Sequence, residues 1–84
     1  MKHKYEIITY DVWGNARDGF EVNNAFTTGR VVEIDPNASD RAINRALNAR
    51  GVRWDGDPDY TLYGVLTRNG RPALELRRVQ EAKS

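Results

Sequence analysis

Ser39-Asp40-Arg41-Ala42-Ile43-Asn44-Arg45-Ala46-Leu47-Asn48-Ala49-Arg50-Gly51 decides the fold, because it is the stretch whose apolar residues recur at helical rather than strand spacing. Ser39 suits an N-cap, and Asp40 puts negative charge in the first turn, where the helix dipole favours it. Ala42, Ile43, Ala46, Leu47 and then Ala49 or Arg50 continue the spacing. Arg50 stands in the last turn, and Gly51 supplies a left-handed stop after which Val52 folds back onto the helix end. The predicted helix has roughly three turns.

Everything around this segment reads as strand or turn. Upstream, residues 4–12 carry the β-formers Tyr5, Ile7, Ile8, Thr9, Tyr10 and Val12. Trp13-Gly14-Asn15-Ala16-Arg17-Asp18-Gly19 breaks that pattern as a long loop, and Phe20-Glu21-Val22-Asn23 alternates again as the partner of a hairpin. Thr27-Thr28-Gly29 reads as punctuation before a short third strand, Arg30-Val31-Val32-Glu33-Ile34, which Asp35-Pro36 ends. Downstream of Arg53-Trp54, the run Asp55-Gly56-Asp57-Pro58-Asp59 is a loop by composition. Residues 60–67 and 72–79 form a hairpin about Asn69-Gly70, the dipeptide that best fits a two-residue turn. The tail, residues 80–84, is polar and is expected to fray. The predicted class is α+β: an antiparallel sheet of four to five strands, one helix on one face, in the order β-β-β-α-β-β.

Composition bounds the function. The chain has 84 residues, with Lys plus Arg 13, Asp plus Glu 12 and a formal net charge of +1. That length fits one domain, residues 1–84, with an ordered core over roughly residues 4–79. Near-neutral charge gives no global attraction to nucleic acid or anionic membrane. No apolar run is long enough to cross a membrane as a helix, and the opening Met1-Lys2-His3-Lys4-Tyr5-Glu6 has no signal-peptide core, so a cytoplasmic location is expected. Cysteine is absent, which excludes disulfides, thiolate metal sites and Cys nucleophiles.

One helix covers one face of such a sheet. Assigning Ile8, Tyr10, Phe20, Val22, Val32 and Ile34, with Leu62, Leu66, Leu74 and Leu76, to the face beneath Ile43, Ala46 and Leu47 leaves Tyr5, Ile7, Val31, Tyr63 and Val65 uncovered. Contiguous uncovered apolar surface marks interfaces, and Tyr is a frequent anchor there. These five residues, with Trp13 on its loop, are the expected protein-binding set. A homodimer through this face would also relieve the small size of the core.

Catalytic chemistry finds little support. His3 is the sole histidine, with no neighbour in sequence to act as its partner, and Ser39 is explained as a cap. Asp55, Asp57 and Asp59 have the chemistry of hard-cation ligands but lack the spacing of an EF-hand loop. The expectation is therefore a non-enzymatic protein without cofactor or metal. Arg41, Asn44, Arg45 and Asn48 share a helical face without an acidic member, and Arg68 and Arg71 flank the Asn-Gly turn with Arg77 and Arg78 following. The alternative is a nucleic-acid-binding module using Arg41, Arg45, Arg68 and Arg71.

The run Tyr10-Asp11-Val12-Trp13-Gly14-Asn15, followed by Asp18-Gly19-Phe20-Glu21-Val22-Asn23, resembles the start of small, mostly uncharacterised proteins of bacteriophages and related mobile elements. The resemblance covers about the first third of the chain. It implies an accessory protein of viral or prophage origin that binds a host or phage macromolecule, in some cases to block a host system. It transfers no catalytic residue.

Overall fold

One apolar row sets the sheet: Ile7 lies opposite Leu76, and Leu76 opposite Leu62. In the computed structural model, which describes residues 2–79, this row joins three of five strands. The elements are β1 (His3–Asn15), β2 (Gly19–Ile34), α1 (Asp40–Leu47), β3 (Val52–Asp57), β4 (Thr61–Leu66) and β5 (Pro72–Arg78). All pairings are antiparallel, in the spatial order β2-β1-β5-β4-β3. The α+β class and the single helix agree with expectation. The order along the chain is β-β-α-β-β-β, which corrects the sequence reading in two places.

Upstream, the expected second and third strands are one strand, β2. Thr27-Thr28-Gly29 does not end it, because the segment is absorbed as an irregularity between the pairs Glu6–Val31 and Ile8–Thr27. Thr28 Oγ1 donates to the Ile7 carbonyl at 2.9 Å, and Thr27 Oγ1 donates to the Glu6 carboxylate. Residues that read as a break thus supply side-chain hydrogen bonds across the bulge. Downstream, Val52–Asp57 is an edge strand rather than a loop. Its signal is short: Val52 and Trp54 alternate inward, and the Asp-Gly-Asp-Pro composition obscures them.

Alternation along β1 is also opposite to the assignment made from sequence. Tyr5 and Ile7, expected to be uncovered, are buried beneath α1 with Ile34, Ile43, Val52, Trp54, Leu62 and Leu76, and the half-buried Val32 packs against them. Tyr5 and Leu76 are both 0% exposed. Ile8, Tyr10, Phe20 and Val22, expected beneath the helix, belong to the opposite face. Ala46, another expected core residue, is exposed.

The helix begins as expected, with Ser39 Oγ accepting from the Ala42 N–H, but ends at Leu47. Asn48, not Gly51, takes the first left-handed position, with φ 55°. Side-chain bonds then clamp α1 to β3. Asn44 Nδ2 donates to the Val52 carbonyl at 2.9 Å, Trp54 Nε1 donates to Asn44 Oδ1 at 2.7 Å, and the Trp54 N–H donates to Asp40 Oδ1 at 3.3 Å. The Trp54 ring lies over Gly64, where an added Cβ would come within 2.8 Å of it. Glycine is therefore required there for close packing.

β1 and β2 outrun the sheet. β5 pairs with β1 only from Tyr5 to Thr9. Beyond Thr9 the two strands continue as a two-stranded arm, about 20 Å long at the usual strand rise, and the molecule measures 48 × 25 × 20 Å. The expected long loop is instead a tight turn, with strand pairing continuing to Asn15–Gly19. Asn15 Oδ1 accepts the N–H groups of Arg17 and Asp18, at 3.0 and 2.8 Å, which closes it. No helix of the described residues is long and apolar enough to cross a membrane. The expected fraying of residues 80–84 lies outside the described residues.

Candidate binding surfaces

The sheet face away from α1 is built by alternation. Ile8, Tyr10 and Val12 from β1, Phe20 and Val22 from β2, and Tyr63 and Val65 from β4 share it. Tyr10, Val22, Tyr63, Val65 and Pro72 line a shallow apolar depression of ≈ 360 Å³. Tyr63 is 53% exposed, and Val22 is also open to solvent. Of the residues expected on the uncovered face, Tyr63, Val65 and Val31 are there, the last opposite Glu6 toward the far end of β1. Tyr5 and Ile7 are not. Ile8 and Tyr10 point to this face instead, one residue out of phase, with Ile8 2% exposed and Tyr10 half-buried.

Glu75 lies at the edge of this depression and is the buried charged side chain among the described residues. Its carboxylate accepts from the Tyr10 hydroxyl and, at 2.9 Å, from Arg77 Nη2. Burial, reinforced by the Glu75 hydrogen bond, raises the Tyr10 pKa far above the ordinary phenol value. Tyr10 therefore remains a donor to Glu75, and no buried side-chain polar atom among the described residues lacks a partner. A satisfied carboxylate of this kind serves the fold.

Tyr5 on the covered face is likewise raised, chiefly by burial, with Arg78 pulling the other way. Its hydroxyl donates to the Pro58 carbonyl at 2.6 Å, which ties the 57–60 turn to β1. His3, which has no partner near it in sequence, is half-buried with Nδ1 at 2.8 Å from Arg78 Nη2. Asp35 is lowered by the backbone N–H of Asn37, a turn bond at the end of β2.

The arm carries the second apolar group. Trp13, 65% exposed, and Phe26 sit on the helix side of β1 and β2, beyond the reach of α1. Val12 and Val22 pair on the other side. Arg71 Nη2 donates to the Val12 carbonyl at 3.4 Å, where β1 has lost its neighbour β5. Gly14, at φ +102°, lets the arm close, since a Cβ there would lie 2.2 Å from the Gly19 carbonyl oxygen.

The arginines divide. Arg71 serves the arm, Arg77 binds Glu75, and Arg78 stacks over Tyr5 at 6.0 Å. They do not form the single basic group that their sequence proximity suggests. Arg41 and Arg45 instead share an open cleft with Arg50 and Arg53, two residues the sequence reading left out. The signal for that pair was the return of the chain after Asn48, which brings β3 alongside α1. Asn44, expected to be a contact residue, is occupied by the clamp to β3. Asp55 accepts the Gly56 N–H, Asp57 accepts the Asp59 N–H, Asp59 lies 3.8 Å from Arg78 Nη1, and no group of three potential ligands is gathered for a metal among the described residues.

No protein-family model matches the chain, and no curated protein or solved structure matches it either.

Proposed function

We propose that this chain is a small non-enzymatic binding module that acts by protein–protein contact, with its open sheet face as the contact surface and a second copy of itself among its partners. The observation that carries this reading is the apolar depression around Tyr10, Val22, Tyr63 and Val65, which no element of the described residues covers. Exposed apolar patches with an aromatic at the centre are the places where partners anchor. The resemblance of its opening to bacteriophage proteins suggests an accessory role, in the cytoplasm, against a host protein.

Size-exclusion chromatography with light scattering, over a rising concentration series, tests the self-association. The wild-type chain shifts toward dimer mass. Tyr63→Glu stays monomeric with an unchanged circular dichroism spectrum, because Tyr63 is exposed and its replacement buries no charge. A wild-type chain that remains monomeric throughout overturns the dimer. Capture of the same partners by wild type and Tyr63→Glu overturns the assignment of this face.

A further inference from the structure

We propose that the cleft between α1 and the start of β3 binds the phosphate backbone of a nucleic-acid strand. Arg41, Arg45, Arg50 and Arg53 border this open cleft of ≈ 780 Å³. All four are exposed, and none is within salt-bridge distance of a carboxylate among the described residues. The other polar side chains there are engaged. Asn44 bonds both Val52 and Trp54, Thr67 Oγ1 donates to the Gly51 carbonyl at 3.2 Å, and Asp40 accepts from the Trp54 N–H. The guanidinium groups are the donors left for a ligand.

Their chemistry fits phosphate. A guanidinium presents a planar fork that meets two phosphate oxygens at once and keeps its charge at any physiological pH. Arg41 and Arg45 are one turn apart, about 6 Å along the helix axis, comparable to the step between successive phosphates of a strand. Arg50 extends the row beyond the helix end, while Arg53, between the inward-facing Val52 and Trp54, turns toward the other sheet face and borders the cleft only at its rim. The clamp through Asn44 fixes α1 against β3, so this spacing is set before any ligand arrives.

An acidic protein surface fits less well. The apolar residues bordering the cleft are Ala49 and Val52, and Val52 is buried. No aromatic or large exposed apolar side chain offers the desolvated centre on which protein interfaces depend. Backbone phosphates need only charge and donors. The cleft is also separate from the depression around Tyr63, so the two readings stand or fall independently.

Fluorescence anisotropy with a short labelled oligonucleotide, as single strand and as duplex, tests the proposal. Two to three neutralised phosphates, met by Arg41, Arg45 and Arg50, predict an affinity that falls roughly 7- to 40-fold between about 50 and 200 mM salt. Arg45→Ala and Arg50→Ala each weaken binding and flatten the log–log salt slope by about 0.7 to 0.9. Their circular dichroism spectra stay unchanged. Arg17→Ala at the arm tip leaves both affinity and slope as they were. Three results overturn the proposal: no binding of either oligonucleotide at low salt, a slope indifferent to the cleft substitutions, or equal competition by poly-glutamate of matched charge.

Discussion

β1 is one strand with two environments. From Tyr5 to Thr9 it has β2 on one side and β5 on the other, and α1 lies above its first residues. From Tyr10 to Asn15 it has β2 alone, with no helix above. The residue types are similar in both halves, each containing an aromatic and β-branched residues, but Tyr5 is 0% exposed and Trp13 65%. A side chain contributes to stability through what surrounds it rather than through its type. An isolated two-stranded hairpin is marginal in water, so the arm depends on the platform at its base and on its own turn at the tip. The platform supplies stability; the arm and the open face supply surface.

The contrast is sharpest in paired substitutions at the two ends of this gradient. Leu76→Ala, in the centre of the apolar row, should cost about 2 to 5 kcal/mol. Trp13→Ala should change stability by less than about 0.5 kcal/mol. Urea denaturation of both variants checks this, and a comparable loss at Trp13 would mean that the arm belongs to the cooperative core.

A smaller effect separates the clamp from ordinary surface polarity on the helix. Asn44→Ala leaves the Trp54 indole N–H and the Val52 carbonyl without their partner, and should cost about 1 to 3 kcal/mol. Arg45→Ala, one residue further along α1, should be close to neutral by the same urea denaturation. Equal effects would remove the argument that the helix is held to β3 through Asn44.

The smallest effect concerns the boundary between platform and arm. Tyr10 is held protonated in the fold, its pKa raised by burial and then by Glu75, while in the unfolded chain it ionises near its ordinary value of 10.0. The stability it contributes is complete below about pH 10 and declines as pH rises beyond that. Tyr10→Phe should cost about 1 kcal/mol at neutral pH and should make the alkaline decline shallower. A remaining decline is expected from Tyr5, which is shifted in the same direction. Thermal melts across the alkaline range measure both variants, and an unchanged alkaline profile in Tyr10→Phe would sever the link between this hydroxyl and the fold.

Much of the architecture was legible in the residues. Ser39 and Asp40 mark where the helix begins, Asn69-Gly70 marks the turn between β4 and β5, and Asp35-Pro36 closes the strand before the helix. These are local matters, fixed by backbone dihedrals, capping atoms and missing donors, and a short window contains all the physics they need. The Thr27-Thr28-Gly29 bulge was not legible, because whether a threonine breaks a strand or bridges it depends on Glu6 and the Ile7 carbonyl, some twenty residues away.

The sequence by itself determined that the chain would be an antiparallel sheet with a single helix and apolar residues on both sheet faces. It did not determine which side of β1 the helix would cover. Tyr5 and Ile7 compete with Ile8 and Tyr10 for that role with nearly equal hydrophobicity, so no periodicity separates them. Only the pairing of Ile7 with Leu76, and of Leu76 with Leu62, decides it, because a strand's register commits every side chain to one face at once. The return of the chain after Asn48 likewise brought Arg50 alongside Arg41 and Arg45.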